Sequence, residues 1–148
     1  MAAVIASLLC SCTRDTSNSS WLVGTVWEAD LAGREYEGGT LRDGIVRIKF
    51  TNPGYQYYAD LQSKTSSGSL GPGLSTYVHS RIEVEYDFPS ITIPFVDSEK
   101  SKDDNVVIGY YNTGFFSEDL KTLHFDTFTV FQGSFDTIVF QDVTFFRK

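Results

Sequence analysis

The side chains best suited to proton transfer near neutral pH in this 148-residue chain are its two histidines, His79 and His124. His124 precedes Asp126 by two residues in the run LHFD (123–126). On an extended strand, positions i and i+2 share a face, so the carboxylate can orient the imidazole. The pattern supplies no activated nucleophile for that pair, since no G-x-S-x-G turn occurs. His79, in YVHSR (77–81), reads as a polar strand position. Glu83 and Glu85 have the residue types of a glycosidase pair. They share their strand face with Arg81 and Asp87, however, which is the pattern of a solvated surface. Asp97, Glu99, Asp103, Asp104 and Asn105 form an acidic loop without the twelve-residue calcium spacing, and Lys100 and Lys102 dilute its charge. No glycine-rich phosphate loop precedes a helix. The expectation is a non-enzyme with no catalytic residues, no metal site and no cofactor.

The only cysteines, Cys10 and Cys12, stand one residue apart near the start. A C-x-C spacing closes too tight a ring for ordinary disulfide geometry. Zinc needs four ligands, and neither histidine nor further cysteine lies nearby. An apolar stretch followed by small residues reads instead as a targeting leader. AVIASLLCSC (3–12) resembles the lipobox of bacterial lipoproteins, with Leu9 three residues before a cysteine and Ser11 immediately before it. The resemblance implies a signal peptide over residues 1–11 and lipidation of Cys12. Residues 12–20, ending in TRDTSNSS, carry no apolar side chain after the cysteine and read as a flexible tether. The third segment, 21–148, is the folded domain. A lipid-anchored protein of the cell envelope is expected, in the outer membrane of a Gram-negative bacterium. Its membrane contact would run through the anchor.

Composition sets the class of that domain. Twelve Phe and eight Tyr stand against one Met, and runs rich in Ala, Leu, Glu and Lys are missing. Aromatic and β-branched residues favour strands over helices. A formal charge of −7 argues against a nucleic-acid partner, which demands a basic footprint. No apolar run is long enough to span a bilayer as a helix.

The elements that must carry any site are short strands between turn clusters. In RIEVEYDF (81–88), Ile82, Val84, Tyr86 and Phe88 alternate with charges. VRIKF (46–50) sets Val46, Ile48 and Phe50 against Arg47 and Lys49. YQYYADL (55–61) places Tyr55, Tyr57, Ala59 and Leu61 on one face. Further strands are expected over 22–29, 90–96, 105–111, 120–131, 135–140 and 143–148. In the 120–131 run the apolar parity switches between Phe125 and Phe128, which calls for a bulge or sharp bend. Pro94 belongs at an edge or bulge, because it cannot donate to a ladder. SKTSSGSLGPG (63–73) reads as the longest loop. About nine strands at this spacing predict an all-β domain, a single antiparallel barrel or a sandwich.

GTVWEA (24–29) opens the first strand, and FFRK (145–148) closes the last. The pairing resembles lipocalin-like (calycin-like) barrels of small envelope lipoproteins. The matching residues are Gly24, Trp27 and Arg147. The resemblance implies an eight- to nine-stranded barrel closed at one end by Trp27 with Arg147 over its indole. It also implies binding of a small apolar ligand or an envelope protein. The alternative is a sandwich that binds carbohydrate or protein as an accessory module; a hydrolase is a distant third. YYNTGFF (110–116) reads as a turn carrying Tyr110, Tyr111, Phe115 and Phe116. A turn cannot bury four aromatic rings, so these residues form the expected interaction surface.

Overall fold

The computed structural model of the chain describes residues 15–36, 39–64, 70–96, 108–132 and 135–148. Cys12, the leader and the acidic loop at 97–105 lie outside the described residues. A short 3-10 helix, Ser19–Leu22, precedes ten strands: β1 (Val26–Asp30), β2 (Glu35–Tyr36), β3 (Gly39–Phe50), β4 (Tyr55–Lys64), β5 (Leu70–Ser80), β6 (Glu85–Asp87), β7 (Ser90–Val96), β8 (Ile108–Phe116), β9 (Thr122–Gln132) and β10 (Phe135–Arg147).

All ten belong to one antiparallel sheet in the order β5-β4-β3-β1-β10-β9-β8-β7-β6, with β2 against β3. The chain starts mid-sheet, meanders out to β5, crosses to β6 at the far edge, and meanders back until β10 lies beside β1. The sheet is not closed by hydrogen bonds, because β5 and β6 end it on either side. It nevertheless curls. β4 and β7 are six places apart, which in a flat sheet means about 29 Å. Yet the rings of Tyr57 and Phe95 on those strands lie 4.9 Å apart. Tyr55 also donates a 2.6 Å hydrogen bond to the Pro94 carbonyl across the seam. In a strand, the N and C=O of one residue point the same way. The Pro94 nitrogen therefore faces the seam and not β8, and its missing N–H costs the ladder nothing.

The concave side holds the core. Val46, Ile48 and Phe50 are buried while Arg47 and Lys49 are exposed, and Tyr55, Tyr57, Ala59 and Leu61 are buried as a set. Period-two alternation dictates this placement wherever one face is wet. The parity switch in β9 is a bend shared with its neighbour. Asp126 and Thr127 are both exposed, and so are Gln141 and Asp142 on β10. Register is kept on either side of them, Val143 opposite Phe125 and Phe140 opposite Phe128. Asp142 takes up the bend with φ 56°. Arg34 clamps it by donating to the carbonyls of Gln141 (3.1 Å) and Asp142 (2.7 Å).

Several expectations are corrected. RIEVEYDF is strand only over Glu85–Asp87, although its apolar side is half-buried and its charged side exposed. Leu70–Gly73, expected within a loop, opens β5. The two runs at 135–140 and 143–148 form the single strand β10. Residues 15–20, expected to be part of a flexible tether, make defined contacts. The Thr16 carbonyl accepts a hydrogen bond from the Tyr86 hydroxyl (2.7 Å), and Asn18 caps the helix by accepting from the Ser20 N–H. Backbone and capping groups, not apolar side chains, hold this segment.

Candidate functional site: one sealed end and two aromatic surfaces

The end of the sheet where the chain enters is sealed by rings. Trp27 is fully buried, and its indole N–H donates to the Thr25 hydroxyl (2.8 Å), which in turn donates to the Leu22 carbonyl (2.6 Å). Phe116 packs 5.1 Å from Trp21 and 5.3 Å from Trp27, centroid to centroid. The Trp21 indole donates to the Tyr86 hydroxyl at 2.7 Å. Register places Arg147 directly opposite Trp27 across β1 and β10. Its guanidinium, however, lies over the Trp21 ring, 6.0 Å from the centroid. The indole beneath Arg147 is thus Trp21's, and Trp27 lies below it with the two rings edge to face at 6.4 Å. Trp21 was not distinguishable in the sequence. Its one signal is an apolar Trp-Leu pair directly after a polar segment.

Beside this end, Glu28 accepts from Arg47 (2.7 Å) and pairs with Lys148 (3.4 Å). The Arg47 hydrogen bond, helped by Lys148 and opposed by partial burial, holds the Glu28 carboxyl below its ordinary range. Gly24, with φ 83°, makes the turn that leads into β1.

YYNTGFF is strand β8, not a turn, and this changes which of its aromatics are available. Side chains alternate, so Tyr111, Thr113 and Phe115 face outward while Asn112, Gly114 and Phe116 face the core. Tyr111 is 60% exposed and Phe115 46%, whereas Phe116 is 5% exposed and belongs to the sealed end. Tyr110 is half-buried on the inner side. Phe146, 57% exposed, lies on the same outer face two strands away. Asn112 stands in for a missing stretch of ladder. Its amide donates to the Thr129 carbonyl (2.9 Å) and accepts from the Thr129 N–H (2.8 Å). It thereby ties β8 to β9 beyond the last backbone pair, Phe115 with His124.

His124 does meet Asp126, at 3.3 Å, and the bend brings in Asp142 at 3.4 Å on the same imidazole nitrogen. The other ring nitrogen contacts the Thr144 hydroxyl at 2.9 Å. The types of a relay are present, but the aspartates are 89% and 82% exposed on an open outer surface. Water screens such a pair, and nothing there holds a substrate. Among the described residues, no group of three His, Cys, Asp or Glu could hold a metal ion. His79, Glu83 and Glu85 are exposed. A cleft of about 140 Å³ lies between the 3-10 helix and the β3–β4 turn, lined by Leu22, Phe50, Asn52, Pro53, Glu83 and Val84 among others.

No family model, curated protein or solved structure matches this chain. Two aromatic surfaces stand out, the outer face of β8–β10 and the inner face where Tyr55 and Tyr57 of β4 meet Phe95 of β7.

Proposed function

We propose that this chain is a non-enzymatic, lipid-anchored envelope protein that binds a protein partner through the outer face of β8, β9 and β10. In this reading the curled sheet is a lipocalin-like barrel with one open seam, and Cys12 carries the lipid. The observation that carries it is the outward exposure of Tyr111 and Phe115 on β8 and of Phe146 on β10, with β9 between them. β8 and β10 are two places apart, about 10 Å, so one partner surface reaches all three rings. Large aromatics at this exposure in a well-filled β-domain are the residue types that anchor interfaces. Between them lie Thr122, His124 and Thr144, short polar groups suited to an interface rim.

The test is site-specific photocrosslinking in membranes bearing the full chain. A crosslinker at Phe115 is expected to give one discrete protein adduct, lost when Tyr111 and Phe146 are both changed to Ser. The same adduct from a crosslinker at Ser75, exposed on β5, or no adduct at all, refutes the surface. Cys12→Ser is expected to shift the chain from the membrane to the soluble fraction. If it stays with the membrane, the anchor is not at Cys12.

A further inference from the structure

Among the described buried side chains, the Tyr57 hydroxyl has no hydrogen-bond partner. The residue is 1% exposed. Buried hydroxyls are almost always paired, because a donor taken out of water and left unmet is expensive. Such an atom in a native core therefore points to something that meets it. Its position is telling as well. Tyr57 sits on the inner face of β4, and its ring packs edge to face on Phe95 of β7, near the gap where the free edge of β5 faces β7 beyond its last pair with β6. Tyr55, two residues earlier on the same face, also packs on Phe95, at 5.3 Å, and latches the seam through the Pro94 carbonyl.

We propose that Tyr57 is the polar anchor of a side-entry site for a small, uncharged molecule bearing a hydrogen-bond acceptor, admitted between the free edge of β5 and β7. The site is on the inner side of the seam and does not depend on the reading of the outer face. The chemistry of the guest follows from its surroundings. Burial, with the Tyr55 hydroxyl close by, pushes the Tyr57 phenol far above its ordinary range, so the group stays protonated and donates. The guest must therefore accept. The walls are rings: Tyr55, Tyr57, Phe95 and, 5.9 Å from Phe95, Phe128. The buried polar residues among those described are Thr25, Ser63, Ser80 and Asn112, none of them charged. A carboxylate or ammonium would thus enter with no buried counter-charge, which disfavours both. A ketone, ester or ether on a single apolar ring or short chain fits. Entry there breaks the Tyr55–Pro94 hydrogen bond and parts the two tyrosines from Phe95.

The experiment is a fluorine NMR titration of the full chain with 4-fluoroacetophenone and with 4-fluoro-α-methylstyrene, in which a methylene replaces the carbonyl oxygen. The ketone is expected to bind about 3- to 10-fold more tightly, the worth of one neutral hydrogen bond. Tyr57→Phe is expected to erase that preference while leaving the hydrocarbon's affinity unchanged. Tyr55→Phe is expected to speed exchange of the ketone several-fold by removing the latch. In unmodified protein, the ketone methyl is expected to show nuclear Overhauser contacts to the Tyr57 and Phe95 rings, which covers a variant that fails to fold. No binding of either compound overturns the proposal. So does a preference that survives Tyr57→Phe, an absence of those contacts, or a long-lived internal water as the sole partner of the hydroxyl.

Discussion

Replacing Gly114 by alanine puts one methyl group where the core has no room. A Cβ built on Gly114 falls 2.7 Å from Cε1 of Phe125 and 2.9 Å from both Cδ1 and Cζ, whereas ordinary contact begins at 3.4 Å. The overlap with the nearest atom is therefore 0.7 Å, and the ring must move bodily to relieve it. Phe125 cannot move freely, because Phe128 and Phe145 flank it with centroids at 5.0 and 5.4 Å. Backbone relief is limited too, since Gly114 pairs with Ile91 in the β7–β8 ladder. Overpacking by a methyl in such a setting costs about 1–3 kcal/mol. For a domain of this size that lowers the melting temperature by about 4 °C per kcal/mol. Urea unfolding of Gly114→Ala against the parent measures it. Phe125→Leu removes the clash, so the double variant is expected to be more stable than the sum of the single losses by about 1 kcal/mol or more. A Gly114→Ala loss under about 0.5 kcal/mol, or strict additivity with Phe125→Leu, would show that Phe125 does not lie on Gly114.

Tyr86→Phe deletes both the acceptor of the Trp21 indole N–H and the donor to the Thr16 carbonyl, each at 2.7 Å. It is expected to cost about 1–3 kcal/mol and to speed hydrogen exchange at the Ser17 and Ser20 amides; unchanged exchange there refutes the docking of Thr16. Glu28 is an acid whose folded pKa is depressed by Arg47 and Lys148. Its contribution is therefore full above the unfolded value of about 4.5 and lost as pH falls through the lower folded value. The stability gap between the parent and Glu28→Gln is expected to be full at pH 7 and to shrink as the pH is lowered below about 4.5; a gap of constant size contradicts the ion-pair assignment.

The outcome at β8 and at the seam separates what local sequence decides from what it cannot. Period-two alternation is a property of the chain itself, so VRIKF and YQYYADL announced their buried faces without any knowledge of neighbours. The parity break between Phe125 and Phe128 likewise announced a bend. The gap at Gln141–Asp142 between the runs 135–140 and 143–148 marked the matching level on the partner; what the sequence hid was that β10 bends there and continues as one strand, because a bend survives only if the partner strand bends at the same level. YYNTGFF carries both turn-like and strand-like residues. Its neighbours β7 and β9 settle the matter, and settling it turns Phe116 inward and leaves Phe115 in water. Leu70–Gly73 looked like loop because Gly and Pro are poor strand formers; the ladder with β4 overrides that preference locally.

The sealed end divides in the same way. Composition and patterning by themselves determined an all-β domain, and the VWEA and FFR runs each marked a strand. Only the tertiary structure decided that Arg147, opposite Trp27 in register, lies over the Trp21 ring, because a side chain on a sheet can reach along the strand direction to whichever ring the 3-10 helix delivers. Only the tertiary structure decided, too, that the sheet curls until Tyr55 and Tyr57 meet Phe95 without closing its ladder. Closure depends on distances between strands far apart in sequence, and those distances are summed from twist and bend over every strand between them.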